Sequence, residues 1–225
     1  MAVAIDAPSA ASARLSGDRS LRVFRALLDA AARPGTIVEA CIDDVPPLLA
    51  AVLALADLDQ RVAVLGEFEG DAAGFDLRWS ELISSVTGAR IVEPAEADMV
   101  IARSGLTDEV VRSLRTASAF DPERGARLFI ACEIKGSPGV STDTWVGLTA
   151  TGPGAPTGSS VEIRGVDPSV FEVLNEQNTR PPAGIDTWLI DPSGRHVGLP
   201  RTARVSIAHT AGAAGTSAEQ RQEGI

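Results

Sequence analysis

Lys135 is the only lysine in the chain, so any Schiff-base chemistry would have to use it. It sits in "EIKGSPGV" (133–140), the composition of an exposed turn. Activating a lysine needs burial, and this setting predicts a solvated one. Two histidines, His196 and His209, leave a Ser/His/Asp triad only His196 to draw on. Neither G-x-S-x-G nor H-E-x-x-H occurs. Cys41 and Cys132 stand 91 positions apart (132 − 41), which fits no zinc or redox spacing and reads as two buried thiols. The acidic clusters "EACIDD" (39–44) and "EPAEAD" (93–98) hold carboxylates that could do acid–base work. Beside Pro and Ala they read instead as solvated loop faces. The turn Gly152-Pro153-Gly154 could cradle a phosphate, which gives one reading of the chain as a stand-alone nucleotide- or phosphonate-binding enzyme. It lacks the Lys-Ser/Thr ending of a P-loop, and a strand rather than a helix follows it. Bending the backbone between two strands is the simpler role. The residues name no catalytic, metal or cofactor set.

Composition narrows the classes further. The 225 residues suit one large domain, or a domain plus appendages, and 44% hydrophobic residues can fill a sizeable core. Aromatics make up only 4%, so Ala, Val, Leu and Ile must fill it. A net charge of −10 argues against a nucleic-acid binder, which needs a basic face. No run approaches the ~18 apolar residues of a membrane span, and "MAVAIDAPSA" has no signal-peptide pattern. A cytoplasmic protein is expected.

The elements that must position these residues alternate. Residues 1–16 read as a flexible segment, 17–205 as a single α/β domain and 206–225 as a disordered tail. The first helix places Leu21, Phe24, Leu27, Leu28 and Ala31 on one apolar face, with Arg22, Arg25 and Asp29 opposite. Arg33-Pro34-Gly35 ends it. A helix over 46–57 follows; rich in Leu and Ala, it is a candidate for a dimer surface. Strand 61–67, helix 76–89, strands in 89–104, helix 107–117 and strand 126–133 imply a layered mixed sheet with flanking helices. Strands at 144–154, 159–166 and 184–191 then alternate with glycine-rich turns. A helix opens at Asp167-Pro168, and 191–194 turns a hairpin.

Four segments carry a resemblance: "FRALLDAAARPGTI" (24–37), "LTATGPG" (148–154), "GIDTWLI" (184–190) and "GLPRTARV" (198–205). In this order they resemble the phosphonate-metabolism protein H family, the H subunit of the bacterial carbon–phosphorus lyase complex. The resemblance spans about residues 16–206. Departures are mild: Leu28 and Ala31 replace Met, Ala155 an Ile and Ala203 a Thr. The resemblance implies a fold similar to the large domain of pyridoxal-phosphate-dependent transferases, without a cofactor site. It implies a homodimer that assembles with the G, I and J subunits and contributes no established catalytic residue. That complex places a phosphonate on the ribose of ATP and breaks the C–P bond.

Within that frame Leu199-Pro200 fixes the chain's exit from its last strand. Arg201 and Arg204 are then expected to pair with carboxylates, either across the fold or across a subunit interface. Arg25, Asp29 and Arg33 are candidate partners or neighbours. Gly152, Pro153 and Gly154 complete the set.

Overall fold

The computed structural model describes residues 14–40, 44–66, 78–135 and 145–210. The expectations placed on 1–13, Cys41, the 136–140 turn and 211–225 lie outside them.

Seven strands form a mixed sheet in the order β1 (Ile37–Glu39), β10 (Arg195–Leu199), β9 (Asp186–Ile190), β5 (Arg127–Ala131), β4 (Met99–Ala102), β2 (Arg61–Leu65) and β3 (Arg90–Ile91). From β9 to β3 the pairs are parallel; β10 and β1 add antiparallel pairs at the other edge. The central parallel strands are continuous apolar runs because both faces are covered. All of β4 is buried. On one face lie α1 (Gly17–Ala32), α2 (Pro47–Leu53) and α3 (Trp79–Thr87), packed around Leu27, Leu49, Ile83, Phe129 and Trp188. The other face meets α4 (Asp108–Ser113), α5 (Pro168–Gln177) and a second sheet around Leu128, Phe171 and Leu189.

That second sheet is antiparallel throughout, in the order β11 (Arg204–Thr210), β7 (Trp145–Thr151), β8 (Ser160–Arg164) and β6 (Glu133–Ile134). The sequence places one apolar strand over 126–133; the chain instead divides it. β5 ends at Ala131, Cys132 breaks the ladder, and β6 joins the other sheet. The buried Asp191 side chain accepts the Ile134 N–H at 2.9 Å and holds that crossing.

Several expectations need correcting. The ordered fold does not stop at 205: β11 pairs with β7 in unbroken register to Thr210, so the start of the expected disordered tail is a strand. Its low complexity hid an alternation in which Val205 and Ile207 pack against the second core. The second helix is buried from Leu48 to Leu53, which removes it as a dimer surface. The helix at 107–117 stops at Ser113, because Leu114 turns extended (ψ 149°).

The first helix is also rotated from its expected face. Val23, Ala26, Leu27 and Ala30 are buried, whereas Leu21, Phe24 and Leu28 are exposed. The cause lies in β10. A Cβ on Gly198 would stand 2.4 Å from the Ala30 carbonyl carbon. The helix therefore rests its backbone on that glycine and turns its small side chains inward.

Candidate interaction surface

The α1 helix begins at Ser16, whose Oγ accepts the Arg19 N–H at 3.4 Å. It ends in a buried Pro34-Gly35 turn, where Gly35 takes φ +76°. Around that turn the resembling segments converge. Gly35 N–H donates to Gly198 O at 3.2 Å. Ser159 Oγ donates to Pro34 O at 3.2 Å, and Trp188 Nε1 donates to Leu27 O at 3.0 Å. A Cβ on Gly154 would lie 2.2 Å from Ala32 O, and one on Gly152 would lie 2.7 Å from Thr202 O. Both glycines have positive φ. Their backbone is thus taken up by packing against α1 and the 200–203 turn; Pro153 between them is exposed. The turn is a joint between elements, and its glycines do not open as a phosphate cradle.

Arg201 and Arg204 leave this joint in different directions. Arg201 forks onto Asp186: Nη2 stands 2.6 Å from Oδ2, and Nε stands 3.2 and 3.1 Å from the two oxygens. Its backbone N–H meets Asp186 Oδ1 at 2.9 Å. Nη1 donates to Pro122 O at 2.8 Å and Pro182 O at 3.0 Å. One guanidinium ties β9 to two loops. The carboxylate pairing expected for Arg201 is found within the chain. Arg204 departs from expectation: it donates to Asn175 O at 2.6 Å and Thr179 O at 3.1 Å, at the carboxyl end of α5. Those carbonyls lack helical donors, and a cation suits the dipole there. The Pro200 carbonyl accepts the Ala203 N–H at 2.8 Å, closing the turn between β10 and β11 that carries Arg201.

The α1 residues do not reach either arginine. Arg33 Nε donates to Asp29 Oδ1 at 3.1 Å, one turn back along the helix. Arg22 and Arg25 have no ion-pair partner among the described residues. They border an open depression of about 560 Å³ between α1 and β1, lined also by Leu28, Asp29, Val38 and Glu39. Beside it stand Leu21 (43% exposed), Phe24 (39%) and Leu28 (53%), and Ile37 on the edge strand is 40% exposed. Four of the seven exposed large hydrophobics among the described residues thus gather on this side. Such gathering marks a docking face more than scattered apolar residues do.

The chemistry-bearing residues lie elsewhere. Lys135 Nζ stands 2.5 Å from Glu162 Oε2, half-exposed, as its turn composition predicts. Cys132 is buried, and desolvation, with Asp191 and Glu133 nearby, drives its thiol far above the usual range. His196 is buried with Nδ1 2.9 Å from Gly194 O and no partner on Nε2. Burial pushes its pKa down, so it is held neutral. Asp98 is a correction: it is no solvated loop carboxylate. It binds Arg61 Nη2 at 2.7 Å and Arg115 Nη1 at 2.6 Å, with 22% of its side chain exposed. No group of three or more His, Cys, Asp or Glu among the described residues could hold a metal ion, and no helix there is long and apolar enough to cross a membrane.

Sequence reasoning missed Asp186, Asn175 and Gly198. The short spacing from Asp186 to Arg201 could have suggested a pair. Nothing local marked Asn175. A search of curated proteins gives no match. The family model described as bacterial phosphonate metabolism protein (PhnH) matches residues 16–206.

Proposed function

The chain belongs to the bacterial phosphonate metabolism protein (PhnH) family, and from that membership we propose that it is a non-catalytic assembly subunit of the carbon–phosphorus lyase complex. In this reading the chain works as a homodimer with the G, I and J subunits in the cytoplasm. Its fold is a relative of the transferase large domain, without the cofactor site.

The observation that carries the reading is the second apolar stripe of α1. Leu21, Phe24 and Leu28 lie opposite the buried stripe, beside the unpaired Arg22 and Arg25. An apolar centre with a basic rim fits an apolar patch with acidic neighbours on a partner subunit. The joint of Pro34, Gly154 and Gly198 gives that helix a rigid seat. The stand-alone nucleotide reading is less well supported, because the backbone at Gly152 and Gly154 is occupied by packing.

Co-expression of the tagged chain with its neighbouring genes, followed by native mass spectrometry, tests the reading. Wild type is expected to recover G, I and J together. Leu21→Asp with Leu28→Asp is expected to abolish recovery without shifting the melting temperature. Recovery that is indifferent to both substitutions would remove the docking role. Stabilisation of the isolated chain by ATP or a phosphonate in a thermal-shift experiment would favour the enzyme reading.

A further inference from the structure

Among the described residues four strands are sheet edges: β1, β3, β6 and β11. Three of them are blunted. β1 has three residues and ends in Glu39, 3.6 Å from Arg195. β3 has two and carries Arg90. β6 has two, with Glu133 held 2.6 Å from Arg164. Short length and charge both discourage pairing with another chain. β11 has seven residues and, after Arg204, neither charge nor proline. Its register with β7 is continuous, so no bulge turns the edge away.

Along an antiparallel strand the backbone groups alternate between the two neighbours. Val205 N–H donates to Asn175 Oδ1 at 3.0 Å, and Val205 O accepts from Asn175 Nδ2 at 2.7 Å. The backbone N–H and C=O of Val205 therefore point away from β7, and a side-chain amide fills the place of a neighbouring strand. Ile207 and His209 share its orientation. Neither has a recorded partner on that side among the described residues. Among the described residues the edge is closed at one end, by Asn175, and open at the other.

We propose that the open edge of β11 pairs antiparallel with β11 of a second copy of this chain, about a twofold axis at Ala208. Among the described residues only this register pairs both open residues with each other, because each Ile207 then exchanges two hydrogen bonds with His209 of the other copy. An axis at Ile207 would set His209 against Val205, which Asn175 already occupies. A second copy fits the edge for two reasons. Each chain carries a net charge of −10, and two such chains meet here across a neutral strand. An edge of paired donors and acceptors is also self-complementary under a twofold axis. The inference rests on the homodimer of the proposed function and locates its interface.

In this register the two Ala208 residues form a non-hydrogen-bonded pair, with Cα atoms about 4.5 Å apart. That is within disulfide reach. Full-length Ala208→Cys, in a Cys41→Ser background, is expected to give a covalent dimer on oxidation. Ser206→Cys, also on the exposed face, is expected not to. Ile207→Pro removes an N–H that points away from β7 and so spares the ladder. It is expected to weaken the dimer at least about tenfold in sedimentation, with circular dichroism unchanged. Ala208→Glu sets like charges opposite each other and acts in the same direction. A wild-type monomer at micromolar concentration overturns the proposal. So does a dimer that resists Ile207→Pro and Ala208→Glu and gives no Ala208→Cys cross-link. Capture of G, I and J is scored separately. If it fails while these dimer results hold, the assembly reading falls and the interface stands.

Discussion

At the joint of α1 and β10, contact is backbone on backbone: Gly198 lies beneath Ala30, and Gly154 against Ala32. Where the 200–203 turn meets β9, contact is charge on charge, through Arg201 and Asp186. Both sites tie distant parts of the chain together, and both fall in the segments that resemble the family. They differ in what can give way. At the glycines the nearest atoms are main-chain atoms that cannot swing aside. At the arginine, water and loop movement can replace part of what is lost. Geometry is therefore all-or-none at the first site and graded at the second.

The largest expected effect tests the rigid side. Gly198→Val should cost about 4 kcal/mol or more in urea unfolding, or prevent folding, because α1 must lift from the sheet. A loss below about 1 kcal/mol would show that the helix can slide. Arg201→Ala comes next, at about 2–3 kcal/mol, since it leaves a half-buried Asp186 and two carbonyls short of a donor. Arg201→Lys should recover less than half of that, because a point charge cannot fork. An Arg201→Ala chain that kept both its stability and its partner subunits would leave the clamp without a role.

A third measurement adds a buried group outside both sites. His196 has its pKa lowered by burial, so below the ordinary value of about 6.5 the unfolded chain binds a proton that the folded chain refuses. Its contribution is complete above that pH and is lost as pH falls below it, at up to about 1.4 kcal/mol per unit. His196→Phe should flatten this part of a stability–pH curve; an unchanged slope would assign it to other groups. The smallest effect is expected at Asp29→Asn. The Arg33 pair is half-exposed and lies within one helix, so urea unfolding should move by about 0.5 kcal/mol or less.

The same contrast explains what could be read from the sequence. The stop of the first helix was visible because it depends on local chemistry, Pro34-Gly35. The buried strands were visible as apolar runs, and Arg201 was singled out by its setting in "GLPRTARV". What could not be read depended on a partner far along the chain. The face of α1 was set by Gly198, not by the largest side chains of the helix. Asp98 looked solvated until Arg61 and Arg115 were placed around it. Arg204 found carbonyls rather than a carboxylate because α5 ends beside it. β11 was hidden because small and polar residues at the exposed positions of an edge strand resemble a tail.

The pairing of β1 with β10 bears on how the molecule is made. Ile37 lies opposite Val197, 160 positions later (197 − 37). The seat of α1 is therefore synthesised long after the helix itself. While the middle elements emerge, the first helix has no β10 on which to lay Val23, Leu27 and Ala30. Contacts this remote in sequence slow folding, and apolar surface left waiting invites association. A nascent chain arrested before Arg195 should expose α1 to protease and bind chaperones, whereas one extended past Leu199 should protect it.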